Sequence, residues 1–460
     1  MKCYDIAVIG GGPAGYVAAI KGAKLGVKVI LFEKDVLGGT CLNRGCIPTK
    51  TYLKGAEIIH HIQTASKYGI HGSTDFEMDM KKAVDNKNRV VKQLTQGVAV
   101  LLKSNQVHVV YGEAYLQTEH EILCNGQKYQ AERIILCGGS KVNRIPIPGI
   151  REESVLTSDQ ILDMKEVPER LTIIGGGVIG CELASVFRYY GSEVTIIEAE
   201  ERILSQMDEG ISKALTSAFA DQKINVRTGC SVDKIFRRDN TSVVSCKDGQ
   251  EIMADKILLS VGRVSDLSCL GKLKDRIKVE KGKVVVDDFM RTSIPNIYAA
   301  GDINGRSMLA HAAFKMGETA AENAVGKDKK CMLSHVPGCI YTLPECAGVG
   351  MTEKAAKEKY GDKEIGIGQF PFSANGRALA SGEGNGFVKV IVEKRYKEVL
   401  GVHIFGGIAT EMISEATSLM EAEIPADEIS EMIHAHPTFS EAFMEACGAA
   451  AGSCLHLPKK

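Results

Sequence analysis

The 460-residue chain has no surplus of charge: 56 basic side chains stand against 57 acidic ones, a net −1 at pH 7. A surface built to hold nucleic acid or an anionic bilayer needs an excess of basic charge, so neither role fits the chain as a whole. Long apolar runs are also missing. No uninterrupted stretch reaches the ~20 residues that span a bilayer. The opening "MKCYDIAVIGGGPAG" breaks on glycine before it forms a signal-peptide core, and no small-residue cleavage site follows. A cytoplasmic protein that stays off the membrane is expected. There is no low-complexity segment and no long linker. Among 14 cysteines there is no CxxC, so the usual ligand spacing of a structural zinc site is absent and no metal is expected. In a reducing compartment most of these thiols stay free, and an oxidised pair is more readily catalytic than structural.

What is present begins with length. At 44% apolar, 460 residues are enough for two to four domains, each with its own interior. One segment occurs twice. "YDIAVIGGGPAGYVAAIKGAKLGVKVILFEK" aligns with "ERLTIIGGGVIGCELASVFRYYGSEVTIIEA" at one fixed offset, so Gly10, Gly12, Gly15, Gly26 and Glu33 fall on Gly175, Gly177, Gly180, Gly191 and Glu198. Each copy reads as strand, glycine turn, helix, glycine, strand, acid, which is the complete dinucleotide-binding fingerprint. The first glycine allows the tight turn, the second admits a pyrophosphate, and the third lets helix and strand pack closely. The helix N-terminus offers amide donors to phosphate. Two copies predict two dinucleotides, with Glu33 and Glu198 accepting from ribose hydroxyls. After Glu198 come Ala199, Glu200 and Glu201, which would repel a 2′-phosphate. NAD is therefore favoured over NADP, with Arg202 the only nearby opposing charge.

Residues 50–110 read as helical, including "KKAVDNKNRVVKQL", and 106–140 as short strands ending in "RIILCGGS". "IPIPGI" at 145–150 marks the crossing into the second nucleotide unit, which ends near "DKILLSVGRVSD". "IPNIYAAGD" is a strand running into Gly301 and Asp302. From 337 the pattern changes to strands such as "GFVKVIVEK" and "VLGVHIFGG", with helices around 410–422 and 438–450. The fold class expected is α/β, with two Rossmann-like units and a C-terminal α+β segment.

Cys41 and Cys46 lie in "GGTCLNRGCIPTK". Three readings of them stand: ordinary buried residues, half of a zinc site completed by "HAHP" at 434–437, or a redox-active disulfide. Their place just after the first nucleotide unit favours the third. A flavin can pass two electrons between a dithiol and a nicotinamide. The thiolate is the reactive form, so positive charge and a base are expected nearby.

This motif resembles that of the pyridine nucleotide–disulfide oxidoreductases. The resemblance runs through the whole chain: both fingerprints, "YAAGD", "YTLPECAGVG" and "HAHPTFSEA". It implies an FAD domain at 1–148 completed by 271–336, an NAD domain at 149–270, and a dimerisation domain at 337–460. It also implies a homodimer acting on the dithiol of a lipoyl-bearing protein, from a 2-oxo acid dehydrogenase, acetoin or glycine cleavage system, with NAD⁺ as acceptor. Cys41 is then the thiol exchanging with substrate and Cys46 the one beside the flavin. His436 is the base, oriented by Glu441, with His434 as the neighbouring alternative, and Lys50 pairs with Glu182. Flavin contacts fall on Gly10, Gly12, Gly15, Glu33, Gly39, Thr40, Cys41, Lys50, Ala114, Asp302 and Ala310. NAD contacts fall on Gly175, Gly177, Gly180, Glu182, Glu198, Val232 and Gly262. The chain departs from the family pattern at "LCGGS", with Cys137 and Gly138, and at "VGRVSD". Three rivals remain: an NADPH-dependent reductase of another disulfide, an NADH oxidase or flavin-binding regulator that survives Cys46→Ser, and a colourless structural subunit.

Overall fold

The computed structural model describes residues 3–73 and 76–458. Its first sheet is ordered His108–Tyr111, Val29–Glu33, Cys3–Ile9, Gln127–Leu136, Glu121–Cys124, Ala114–Leu116. The first four strands run parallel, and Val29–Glu33 is buried at every position. The apolar run Val29–Phe32 within it is what a parallel strand covered on both faces requires. Strand Gln127–Leu136 serves two partners on one edge. Gln127–Gln130 pairs antiparallel with Glu121–Cys124, and Ile134–Leu136 pairs parallel with Ile297–Ala299. The late strand thus returns to the first sheet from beyond the second nucleotide unit.

Helix Pro13–Lys24 opens with proline, whose missing N–H costs nothing at that position. It packs on helix Ala310–Ala324 through small residues, and a Cβ on Gly317 would overlap the carbonyl of Ala14. The helical reading of 50–110 needs correction. Cys46–Thr64 and Met80–Ser104 are separate helices, and the turn Ala65–Tyr68 ends at Gly69 with φ +74.

The second sheet is all parallel, ordered Asn225–Arg227, Glu193–Ile197, Arg170–Ile174, Lys256–Leu259, Val155–Thr157. Beside it lies an antiparallel meander of Val232–Arg238, Thr241–Cys246 and Glu251–Ala254. The C-terminal sheet is antiparallel throughout, ordered Gly338–Ile340, Cys346–Gly350, Val399–Phe405, Phe387–Glu393, Ile365–Pro371. Helix Glu441–Ala451 begins three residues later than the sequence suggested and lies on this sheet, where a Cβ on Gly368 would overlap the Ala446 carbonyl. A buried ionic cluster joins the second unit to this sheet. Asp208, 1% exposed, accepts from Lys389 at 2.9 Å and from the Glu353 N–H at 2.9 Å, and Lys389 also pairs with Glu353. Among the described residues, no helix is long and apolar enough to cross a membrane.

Candidate active site

The two fingerprints fold alike for the same steric reasons. Gly10 and Gly175 have φ +105 and +107, and a Cβ on either would overlap the next strand, at Cys137 O or near Ser260 O. A Cβ on Gly15 or Gly180 would overlap the carbonyl oxygen of Gly10 or Gly175. The middle glycines differ. Nothing lies within 4 Å of a Cβ on Gly177, and only Gly39 Cα, at 3.6 Å, lies near one on Gly12. Both middle glycines are helix N-caps without a side-chain cap, so the first-turn amides face open space unclaimed. Such a cradle fits a pyrophosphate.

Each terminal acid holds its own loop. Glu33 accepts from Gly11 N–H and Asp35 N–H, both at 2.7 Å, and Glu198 accepts from Gly176 N–H at 2.7 Å and Glu200 N–H at 2.8 Å. Burial pushes the Glu33 carboxyl up, against the opposing pull of Gly11 N–H and Lys34. Arg202 is occupied: its guanidinium donates to the carbonyls of Leu204, Ser205 and Met207 at 3.4, 2.7 and 3.0 Å. Its donors are thus engaged by backbone rather than free for a 2′-phosphate.

Several expected residues lie on elements of the first sheet and the helices packed on it. Ala114 is buried in the strand that begins two residues after Gly112, whose N–H bonds Glu33 O at 2.8 Å. Ala310 starts the helix packed on Pro13–Lys24. The Asp302 carboxylate accepts from Ser140 Oγ at 2.6 Å. Arg263 donates to Ser140 Oγ at 2.8 Å and to Thr40 Oγ1 at 3.3 Å, tying this group together. Gly39, at φ +58, approaches Gly12 too closely for a side chain. On the second side, Gly262 has φ +91 with nothing near its Cβ position, and Val232 opens the meander.

Cys41 lies in helix Gly39–Arg44, and Cys46 is the first residue of helix Cys46–Thr64. Both are half-buried free thiols, and the ionisation of each depends on the other. The pair is asymmetric. The shared proton and burial push Cys41 far up. Donation from Cys41, with the Lys50 charge, lowers Cys46 to about 7 against burial and Glu182. The helix N-terminus favours the same anion. Lys50 follows Cys46 by four residues, one helical turn, so the two share a face. Its Nζ meets Glu182 Oε1 and Oε2 at 2.8 and 2.9 Å and lies 4.4 Å from the Tyr341 ring centre. Glu182 is 4% exposed and also accepts from Tyr341 N–H at 3.0 Å, so this is no loose surface pair. Removing the cation in Lys50→Met is expected to move the pH midpoint of iodoacetamide alkylation of the reduced protein upward from about 7, by about one unit or more. An unmoved midpoint would mean that Lys50 does not set the Cys46 thiolate.

His434 and His436 separate cleanly. His434 is tied at both nitrogens, Nδ1 to Met432 O at 3.0 Å and Nε2 to Glu415 Oε1 at 2.8 Å. His436 Nδ1 meets Glu441 Oε1 at 2.7 Å, and its side chain is 78% exposed. A carboxylate only accepts, so Nδ1 carries a proton, and the neutral ring has its lone pair on Nε2. Burial pushes the Glu441 carboxyl up, but Thr438 N–H and His436 outweigh it and leave it below the usual range. Within one chain, no hydrogen bond or ion pair among the described residues joins His436 to the cysteine pair.

Sequence reasoning missed Tyr341, Ser140 and the orientation of Arg263. Ser140 stood in plain view in "LCGGS"; the other two needed the fold to bring distant segments together.

The chain matches the pyridine nucleotide-disulphide oxidoreductase model over residues 4–317 and the dimerisation domain of that family over 336–447. It is 39% identical over 459 residues to a dihydrolipoyl dehydrogenase of Bacillus subtilis, covering 98% of this chain and 99% of that one. It is 41% identical over 465 residues to the dihydrolipoyl dehydrogenase of Thermus scotoductus, covering 99% of both. The HOCl-induced flavoprotein disulfide reductase RclA of Escherichia coli superimposes with a TM-score of 0.87 at 29% identity, over 97% of this chain and 99% of that one. The chain belongs to the pyridine nucleotide-disulphide oxidoreductase family.

Proposed function

We propose that the protein is a dihydrolipoyl dehydrogenase that oxidises the dithiol of a lipoyl-bearing protein and delivers the electrons to NAD⁺. The observation carrying this reading is the asymmetric thiol pair at a helix N-terminus, with Lys50 one turn away and paired to the buried Glu182 of helix Val178–Tyr189. FAD and NAD are the family's cofactors, and the two open glycine cradles fit them. In this reading residues 1–148 with 271–336 hold FAD, 149–270 hold NAD, and 337–460 form the interface of a homodimer working in the cytoplasm. Gly10, Gly12, Gly15, Glu33, Gly39, Thr40, Ala114, Asp302 and Ala310 border the flavin, with Arg263 and Ser140 bracing them. Gly175, Gly177, Gly180, Glu198, Val232 and Gly262 border the nicotinamide nucleotide.

FAD, when bound, supplies two-electron transfer between the dithiol and the nicotinamide. The remaining steps belong to side chains. His436 Nε2 takes the proton of a lipoyl thiol, and Glu441 holds the ring and its positive charge. The thiolate attacks Cys41 Sγ of the oxidised pair, and the Cys41–Cys46 bond breaks. Cys46 leaves as a thiolate, which Lys50 and the helix N-terminus stabilise. The second lipoyl sulfur then attacks the first, expelling Cys41, which takes a proton readily because its thiol is held far up. In this reading His436, exposed at the surface of its own chain, serves as base for the cysteine pair of the partner subunit.

Steady-state assays test this reading. NADH formation from dihydrolipoamide should exceed NADPH formation by at least ~10²-fold in kcat/KM, since placing a 2′-phosphate against Glu200 and Glu201 costs several kcal/mol. Faster reduction of another disulfide with NADPH would overturn both the substrate and the nucleotide assignment. The glycines give a second check. Gly177→Ala should leave thermal stability unchanged and raise KM for NAD⁺ roughly tenfold or more. Gly180→Ala should lower stability by about 1–3 kcal/mol through overlap with Gly175 O. Equal effects of the two on stability would contradict the open-cradle reading.

A further inference from the structure

Outside the pair at 41 and 46, two other thiols meet across the second unit. Cys230 lies just after strand Asn225–Arg227, and Cys246 ends the central strand of the meander. They are 7% and 2% exposed. Asp248 lies in the hairpin turn beyond Cys246 and is exposed. One Cys230 and one Cys246 sulfur and one Asp248 carboxylate oxygen lie within 4.8 Å of one another. We propose that Cys230, Cys246 and Asp248 form a binding site for one thiophilic divalent cation of the zinc class.

The geometry is close to what such an ion needs. Two thiolates on zinc at ~2.3 Å stand about 3.8 Å apart in a tetrahedron. The present atoms therefore close on an ion with shifts of about 1 Å or less. The two sulfurs are the buried, soft half of the site and the carboxylate is the hard half at its solvent edge, which gives the ion a way in. Asp248 Oδ1 accepts from Gln250 N–H at 3.0 Å, which orients the carboxylate. Binding displaces both thiol protons to solvent and leaves the fourth position to water. The site backs onto the second fingerprint: Cys230 N–H donates to Glu198 O at 2.9 Å, and Gly229 N–H to Glu200 O at 2.8 Å. An ion there stiffens the segment carrying the acids that select NAD. None of this depends on which disulfide the protein acts on.

Cd²⁺ titration of the holoenzyme in a Cys41→Ser/Cys46→Ser background tests the site through the ultraviolet thiolate-to-cadmium absorption. One equivalent is expected to saturate the band. Cys246→Ser or Cys230→Ser should abolish it, and Asp248→Asn, an exposed change that leaves the fold intact, should weaken binding by roughly tenfold or more. No thiolate band, or a band indifferent to all three substitutions, overturns the proposal. So does peptide mapping that finds Cys230 and Cys246 joined as a disulfide in the purified protein.

Discussion

A Cys46→Ser variant loses dithiol-dependent NAD⁺ reduction by about 10³-fold or more. Serine is nearly the same shape and the site is half-buried, so the fold is retained. What is lost is the only sulfur that can accept the electrons from Cys41. Without it the attack on Cys41 has no leaving thiolate. Transfer from NADH to a small acceptor that needs no thiol should persist, which separates damage to the electron path from damage to the nucleotide sites. The rival in which the cysteines are incidental predicts that dithiol turnover survives the change. Comparable rates for the variant and the unaltered protein would establish that rival.

His436→Gln is expected to lower kcat by about 10²- to 10⁴-fold, the usual worth of a positioned general base. Glu441→Gln should come within about tenfold of that loss, although it leaves the imidazole in place. A carboxylate at 2.7 Å holds the proton on Nδ1; an amide can turn its NH₂ toward Nδ1 instead and drive the proton to Nε2, where the base is needed. Subunit mixing locates the base. If His436 serves the partner's cysteines, coexpressed Cys46→Ser and His436→Gln chains form heterodimers with one intact site. Mixed dimers at random then recover about a quarter of full activity. No recovery would mean that base and thiols act within one subunit.

Much of the site was legible because its residues are dictated by local sterics or local chemistry. Gly15 and Gly180 are demanded by the carbonyls of Gly10 and Gly175 within the same turn, and Gly10 and Gly175 by their positive φ, so each repeat announces its own loop. Cys46 and Lys50 are separated by a helical turn, whereas the pairing of His436 with Glu441 was implied by the resemblance of "HAHPTFSEA" to the family motif rather than by spacing. What remained hidden is long-range. Arg202 is a separate case: the carbonyls of Leu204, Ser205 and Met207 that hold it are only two to five residues away, but the local turn that aims them at it carries no motif. Asp208, Lys389 and Glu353 carry no motif, yet they form one buried cluster from three distant segments. Cys230 and Cys246 are sixteen residues apart in a meander, a spacing that signals nothing until the strands pair.

The most direct test of the central claim is anaerobic reduction of the oxidised holoenzyme with NADH, followed by alkylation and peptide mass mapping. Two new alkylated thiols should appear, Cys41 and Cys46, and no others. Reduction of NADH-treated enzyme that leaves both peptides unlabelled, or that labels a different pair, would contradict the account.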